Sequence, residues 1–160
     1  MRLVEKKSNK KMNSVVVVVD MDGTLGYHDS SEFIVRPYVN LFVRALDFAD
    51  IILWSAGDDE YVRTQVNCYL PIIVSRAHKI FARTQCNYSH RYFNGVQKCS
   101  TMIRNIYARD IYLIGVDDNA SRVMDDKYDL RIEVPEYKCC NNNDTCLVKA
   151  LDTILERVRE

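Results

Sequence analysis

Five consecutive valines, Val15 to Val19, run directly into Asp20-Met21-Asp22-Gly23-Thr24. A β-branched run without polar alternation predicts a strand covered on both faces, as in a parallel sheet sandwiched between helices. Gly23 predicts a sharp turn straight after it. The run thereby delivers two carboxylates, two residues apart, to the carboxyl end of a central strand, where open α/β sheets bind ligands. Carboxylates crowded like this are costly unless something positive sits between them. Oxygen ligands suit a hard divalent cation, and Mg²⁺ is the usual one beside phosphate.

The rest of the chain alternates in the same way. Gly26 to Glu32 reads as a loop and Phe33 to Val35 as a short flap strand. Arg36-Pro37 opens a helix with apolar positions Val39, Phe42, Val43 and Leu46. A second buried strand, Ile51 to Trp54, ends at Ser55-Ala56-Gly57. Asp58 is placed to cap a helix over about residues 60–69, which Pro71 follows. A third strand is expected near Ile80-Phe81-Ala82, and an irregular loop from Asn87 to Gln97. Residues 98–107 read as a helix, 111–116 as a buried strand, and 130–134 as a last short strand. The loop Asn141 to Asp144 caps a final amphipathic helix. Strands alternating with helices predict a doubly wound, mostly parallel, Rossmann-like α/β sheet. With 160 residues, the chain reads as a basic tail over 1–13 and a single domain over 14–160.

Composition excludes some functions. Lys and Arg number 22, as do Asp and Glu, so the whole molecule is no polycation aimed at nucleic acid or anionic lipid. The charges are nevertheless segregated. No acid occurs from Tyr61 to Arg109, a stretch holding Arg63, Arg76, Lys79, Arg83, Arg91, Lys98, Arg104 and Arg109, while acids gather from Asp110 to Glu136. Such asymmetry suits a site that holds a cation and an anion together. The N-terminus reads as a solvated tail, not a signal peptide, and no apolar stretch approaches the roughly 20 residues that span a bilayer. The six cysteines include no Cys-x-x-Cys unit. They are expected as free thiols of an intracellular protein, cytoplasmic or nuclear, rather than as a zinc site.

Three polar clusters fall at strand ends: Asp20/Asp22/Thr24, Ser55, and Asp117/Asp118. Lys98 opens the helix before the third. Each element alone is ordinary: Asp-x-Asp often caps a turn, and a lone lysine is most often a solvated helix residue. Their order and placement make an inventory for phosphoryl transfer. One carboxylate attacks phosphorus and a second moves the proton. A hydroxyl and an ammonium hold the phosphoryl oxygens, and the remaining acids bind the metal.

Asp20-Met21-Asp22-Gly23-Thr24 resembles the first motif of the haloacid dehalogenase superfamily, Asp-x-Asp-x-Thr. The chain is more closely similar to the capless branch that contains the small carboxy-terminal-domain (CTD) phosphatases, also called NIF-like phosphatases. Val35 to Phe42 resembles that family's Arg-Pro helix start. Ile51 to Gly57, with Tyr61 and Val66, resembles its second motif, and Ala82 to Cys86 its third-strand region. Ile114 to Asn119 resembles its fourth motif. The likeness covers roughly residues 14 to 158 and implies a domain without a large cap.

Carried over residue by residue, the resemblance implies the following. Asp20 is the nucleophile and a metal ligand. Asp22 is the general acid and base, its carbonyl facing the metal. Thr24 steadies the loop and Asp22 and stands with the phosphate-binding residues Ser55 and Lys98. Asp118 completes the Mg²⁺ site directly or through water, with Asp117 beside it. Lys79 is the second choice for the lysine. Lys98 is preferred because it lies 19 positions before Asp117.

Two departures bear on specificity. Gly23 stands where the CTD phosphatases carry Glu, and only eleven residues separate Thr24 from Arg36, where those phosphatases carry a longer insertion. The short spacings leave no room for a helical cap, and an uncapped site suits a phosphate on a large polymer. The expected partner is a phosphorylated macromolecule, a protein ahead of a nucleic acid, and not a membrane. A polynucleotide end phosphatase is the alternative. It rests on the acid-free stretch and on Tyr88, His90, Arg91, Tyr92 and Phe93, which resemble a base-stacking, phosphate-pairing segment. A non-catalytic binding module is the third reading, weakened because no catalytic group is missing.

Overall fold

The computed structural model describes residues 14–88 and 95–160. In chain order the strands and helices are β1 (Ser14–Val19), β2 (Gly26–Asp29), β3 (Glu32–Val35), α1 (Val39–Ala45), β4 (Ala49–Trp54), α2 (Asp59–Tyr69), α3 (Pro71–Arg76) and β5 (Ala77–Phe81). A 3₁₀ turn (Arg83–Gln85) follows, then β6 (Asn87–Tyr88), β7 (Val96–Gln97), α4 (Ser100–Arg104), β8 (Ile111–Asp117), α5 (Ala120–Val123), β9 (Leu130–Glu133) and α6 (Cys146–Arg159).

Five strands form one parallel sheet in the order β5-β4-β1-β8-β9. The valine run is its middle strand, and the two-residue pleat divides it between two cores. Val15, Val17 and Val19 join Phe42 and Val43 of α1, Val62 and Val66 of α2, and Leu147, Leu151 and Ile154 of α6. Val16 and Val18 point to the other face, among Trp54, Ile103 of α4, Val123 of α5, Met124 and Tyr128. A run with no polar alternation is what two covered faces demand.

The chain passes from β1 outward to β4 and β5, then returns to the other side of β1 for β8 and β9. The strand order therefore reverses beside β1, and a crevice opens at the carboxyl ends of β1, β4 and β8. Asp20, Ser55 and Asp117 stand at those three ends. Between Thr24 and Ser55 the chain forms only the β2–β3 hairpin, α1 and β4.

Several local expectations are corrected. Gly26 to Asp29 is a strand rather than a loop: it pairs antiparallel with β3, and Ser30 turns the hairpin at φ 52°. Helix α1 starts at Val39 rather than at Arg36-Pro37, because Tyr38 takes a left-handed conformation at φ 71°. Pro71 does not merely follow a helix; it opens the short helix α3. β5 ends at Phe81, one residue before Ala82. Lys98 precedes α4 in an extended bridge with Met124 instead of opening that helix. The expected loop from Asn87 carries the paired strands β6 and β7. The tail over 1–13, and His90, Arg91, Tyr92 and Phe93, lie outside the described residues.

Arg36 does a different job from starting a helix. Its side chain is fully buried. Nε and Nη2 donate to the two carboxylate oxygens of Asp144 at 2.9 and 3.0 Å. Nη1 reaches the carbonyls of Gly23 and Thr24, and Nη2 that of Pro135. The guanidinium also lies 5.3 Å from the centre of the Tyr137 ring. One cation thus ties the loop after β1 to the segment that leads into α6.

Burial raises the pKa of Asp144, but the bonds from Arg36 and from the Cys146 N–H outweigh it and hold the carboxyl below its usual range. The pair's stabilisation is accordingly complete above the ordinary aspartate pKa of about 4 and is lost as the pH falls through the lower native value. Replacing Asp144 by Ala leaves a buried guanidinium unpaired and is expected to cost about 3 kcal/mol of unfolding free energy at pH 7. The penalty shrinks towards pH 3. Urea titrations of both proteins at the two pH values measure it.

Candidate active site

Asp20 follows the last residue of β1, and its N–H donates to the Val116 carbonyl of β8 at 3.0 Å. That bond sets the first carboxylate beside Asp117, the last residue of the neighbouring strand. The chain then turns at Gly23, whose φ is +82°. A Cβ there would stand 2.5 Å from Asp118 Oδ2, so glycine is required both for the backbone angle and for the approach of Asp118.

Lys98 supplies the positive charge. Its backbone is pinned by an N–H bond to Val123 at 2.7 Å and a carbonyl bond from the Tyr128 hydroxyl at 3.0 Å. Its ammonium donates to Asp20 Oδ1 at 2.8 Å and to Asp117 Oδ2 at 2.6 Å. Burial opposes the charged form, but the two carboxylates prevail and raise the lysine pKa, so the group stays protonated. Lys79, by contrast, is exposed on the edge strand β5.

Thr24 is fully buried. Its hydroxyl bonds Asp20 Oδ2 at 2.9 Å, lies 3.3 Å from Asp118 Oδ1, and accepts from the Asp118 N–H at 3.0 Å. In this structure the hydroxyl is engaged by Asp20 and Asp118. A threonine with no exposed surface braces Asp20 and Asp118 from beneath, and it bonds neither oxygen of Asp22.

Ser55 follows the last residue of β4, and its Oγ accepts from the Gly57 N–H at 3.1 Å. Asp22 is half-buried, and its Oδ1 accepts from the Tyr61 hydroxyl at 2.7 Å. Burial raises the Asp22 pKa against the lowering pull of that bond and of His28 and Lys98. Asp20, Asp22, Ser55, Lys98, Asp117 and Asp118 line one open cleft of about 420 Å³.

Two further residues of this cleft carry no role in the sequence reading. Arg83 is held at its rim, its N–H on the Gly57 carbonyl at 2.9 Å and its Nε on the Ala56 carbonyl at 2.8 Å. Its sequence signals are membership of the acid-free stretch and of the Ala82 to Cys86 segment that resembles the family's third-strand region. Asn119 fixes both acids of the third cluster: its N–H donates to Asp117 Oδ1 and its amide to Asp118 Oδ2. Tyr88 also lines the cleft and is 75% exposed.

The donor set suits a hard cation. Asp20, Asp117 and Asp118 offer carboxylate oxygens that lie within 4.8 Å of one another. Lys98 is the one ammonium bonded within this acidic nest among the described residues. Without more positive charge, burial and then the neighbouring Asp20 and Asp117 push the Asp118 pKa up to about 8. All-oxygen ligation and unrelieved repulsion are the conditions under which Mg²⁺ binds carboxylates.

Residues 3–160 match the sequence profile of the NLI interacting factor-like phosphatases. The chain belongs to that family. It is therefore a NIF-like phosphatase domain. No curated protein matches it in sequence. Among solved structures it is similar to an arginine-to-alanine variant of the fission yeast RNA polymerase II CTD phosphatase Fcp1 bound to beryllium fluoride. That match has a TM-score of 0.57 and 13% identity, and it covers 91% of this chain and 51% of that one. It is likewise similar to a structure of Fcp1, described as an essential RNA polymerase II CTD phosphatase, with TM-score 0.57, 15% identity, and coverage of 90% and 49%. The NIF-like domain thus shares the fold of these proteins and spans about half their length.

The Lys98 clamp yields a stability prediction. Lys98→Ala strands two buried carboxylates against each other and is expected to lower the unfolding free energy by about 3 kcal/mol in EDTA. Added Mg²⁺ is expected to recover part of that loss. Urea titration with and without the metal is the measurement.

Proposed function

We propose that this domain hydrolyses phosphomonoesters on proteins through a phosphoaspartate at Asp20, with Mg²⁺ as cofactor. The observation that carries the reading is the convergence of Asp20, Asp22, Ser55, Lys98 and Asp118 on one open cleft. The family membership supports the same chemistry.

Asp20 is the nucleophile, and Thr24 and Lys98 each hold one of its oxygens. An anchored carboxylate attacks from one direction, which removes much of the orientational cost. Asp22 lies two residues on in the same loop, with a raised pKa that favours the protonated acid. It gives its proton to the leaving oxygen as the P–O bond breaks, and takes one back from the water that later attacks phosphorus. Ser55, the adjacent backbone and Lys98 face the phosphoryl oxygens. Asp20, Asp118 and Asp117 would hold the metal, together with the Asp22 carbonyl. When bound, Mg²⁺ supplies Lewis-acid charge that offsets the repulsion between an anionic nucleophile and an anionic substrate.

A protein substrate is favoured by the openness of the site. Between the first two motifs the chain forms the β2–β3 hairpin, α1 and β4, with no helical cap among them, which leaves room for a bulky chain. Similarity to the Fcp1 structures, which are titled CTD phosphatases, points the same way. An intracellular setting, cytoplasmic or nuclear, fits the six free cysteines. No helix among the described residues is long and apolar enough to cross a membrane.

A turnover comparison tests the reading. Phosphoserine, phosphothreonine and phosphotyrosine peptides are set against 3′- and 5′-phosphorylated oligonucleotides. Peptide turnover is expected to need Mg²⁺, to vanish with EDTA, and to fall to background in Asp20→Asn. Faster release from oligonucleotides, with steeply salt-dependent binding, would instead make the domain a polynucleotide end phosphatase. Equal rates in the wild type and Asp20→Asn would remove the phosphoaspartate.

A further inference from the structure

Tyr61 has no role assigned so far, yet it touches the proton-carrying carboxyl directly. It sits in the first turn of α2, where its N–H donates to the capping Asp58 carboxylate at 2.8 Å. The ring lies over the Ser55–Gly57 turn. A Cβ on Gly57 would stand 2.7 Å from Tyr61 Cδ1, well inside the roughly 3.5 Å at which carbon atoms pack. The turn that presents Ser55 must therefore be bare at this position for the ring to lie there. On its other side the ring is 6.0 Å, centre to centre, from His28 on β2. Held by a helix start, a glycine turn and the hairpin, the hydroxyl reaches Asp22 Oδ1 at 2.7 Å.

We propose that Tyr61 is a positioning residue for the general acid, donating to Asp22 Oδ1 so that Oδ2 is the oxygen that carries the proton to the leaving group. The inference rests on the phosphoaspartate reading above. Oδ1 is occupied by the phenol, and Oδ2 has no bond from another residue among the described residues. A protonated carboxyl has one carbonyl oxygen and one hydroxyl oxygen. A donor fixed on the first makes it the carbonyl and leaves the proton on the second. In the first half-reaction an Asp20 oxygen bonds to phosphorus, the P–O bond to the substrate breaks, and the Asp22 Oδ2 proton passes to the departing alkoxide. In the second, water bonds to phosphorus, the acyl-phosphate bond breaks, and the water's proton returns to Oδ2. Burial and the bond to Asp22 raise the phenol's own pKa, so it remains a donor throughout.

The consequence is selective for leaving groups. A serine alkoxide departs poorly without a proton, whereas a dinitrophenolate needs none. In Tyr61→Phe, kcat/KM for a phosphoserine peptide is expected to fall about tenfold or more, within the range by which general acid catalysis contributes. kcat/KM for 2,4-dinitrophenyl phosphate is expected to change less than about threefold. This ratio is read through the first irreversible step and so reports leaving-group departure. Tyr61→Leu serves as a second variant, and each variant's melting temperature checks its folding. In an Asp22→Asn background, Tyr61→Phe is expected to add no further loss on the peptide, because the two residues act as a unit. An equal fall for both substrates, or the same loss in both backgrounds, overturns the positioning role. Wild-type protein that turns over neither substrate overturns the parent reading and this one together, and is recognised without any variant.

Discussion

The buried ammonium of Lys98 between Asp20 and Asp117 is the contact on which the rest of the site depends. Two carboxylates at the ends of adjacent parallel strands repel, and burial deepens the penalty. The sheet register leaves no alternative. Val19 pairs with Val116, so the residues that follow them are neighbours whatever their charge. A cation delivered from the crossover between β5 and β8 relieves the strain. Lys98 reaches the spot because its own backbone is tied to Val123 and Tyr128, not because a helix carries it. Buried ion pairs are poor evidence for stability, since desolvation takes back most of what attraction gives. Their better-attested use is to fix one arrangement, and here that arrangement points one oxygen of Asp20 at the lysine and the other at Thr24.

The remaining braces follow the same logic of polar groups satisfied in a dry place. Arg36 accepts the burial of a guanidinium because Asp144 meets it in bidentate fashion and three carbonyls take its other protons. Those carbonyls include Gly23 and Thr24, so the loop bearing the candidate nucleophile is fastened to the far end of the chain. Thr24 spends its hydroxyl on Asp20 and Asp118, and Gly23 makes room for Asp118. Catalytic geometry held by side chains that are themselves locked is what pre-organisation means in structural terms.

How much of this was readable in advance depends on the reach of each signal. The valine run announced a central strand, because burying both faces leaves a continuous apolar string in the sequence. Asp20, Asp22, Ser55 and Asp117/Asp118 stand out because strand ends are marked by the turn residues that follow them, and Lys98 because of its 19-residue spacing to Asp117. Arg36 was not visible as a buried cation. Its partner, Asp144, lies 108 positions away, and no local pattern encodes so distant a bond. Thr24 is placed in the site by the family resemblance, which names neither Asp20 nor Asp118 as its partner. Only burial revealed that its hydroxyl is consumed by the acids. The hairpin strand β2 and the short helix α3 escaped for the opposite reason: four- and six-residue elements lack the length over which a period can be counted.

The division between a rigid floor and an open rim has its own consequence. Asp20, Asp117 and Asp118 are anchored by strand ends or by bonds to buried groups, and Asp22 by the Tyr61 hydroxyl. Arg83 and Tyr88, by contrast, line the rim on short segments beyond β5. Chemistry fixed in the core and contacts carried on loops is the usual way one fold serves many substrates. In the proposed reaction an uncapped site also has to exclude water by some other means, since a wet cleft weakens each electrostatic contact in it. Among the described residues the β2–β3 hairpin is the one element inserted beside Asp22, and in the proposed reaction the substrate's own flanking chain would help to close the cleft. A small phosphate ester would meet the same catalytic groups in a more polar medium, so macromolecular substrates gain from size alone, before any side-chain recognition.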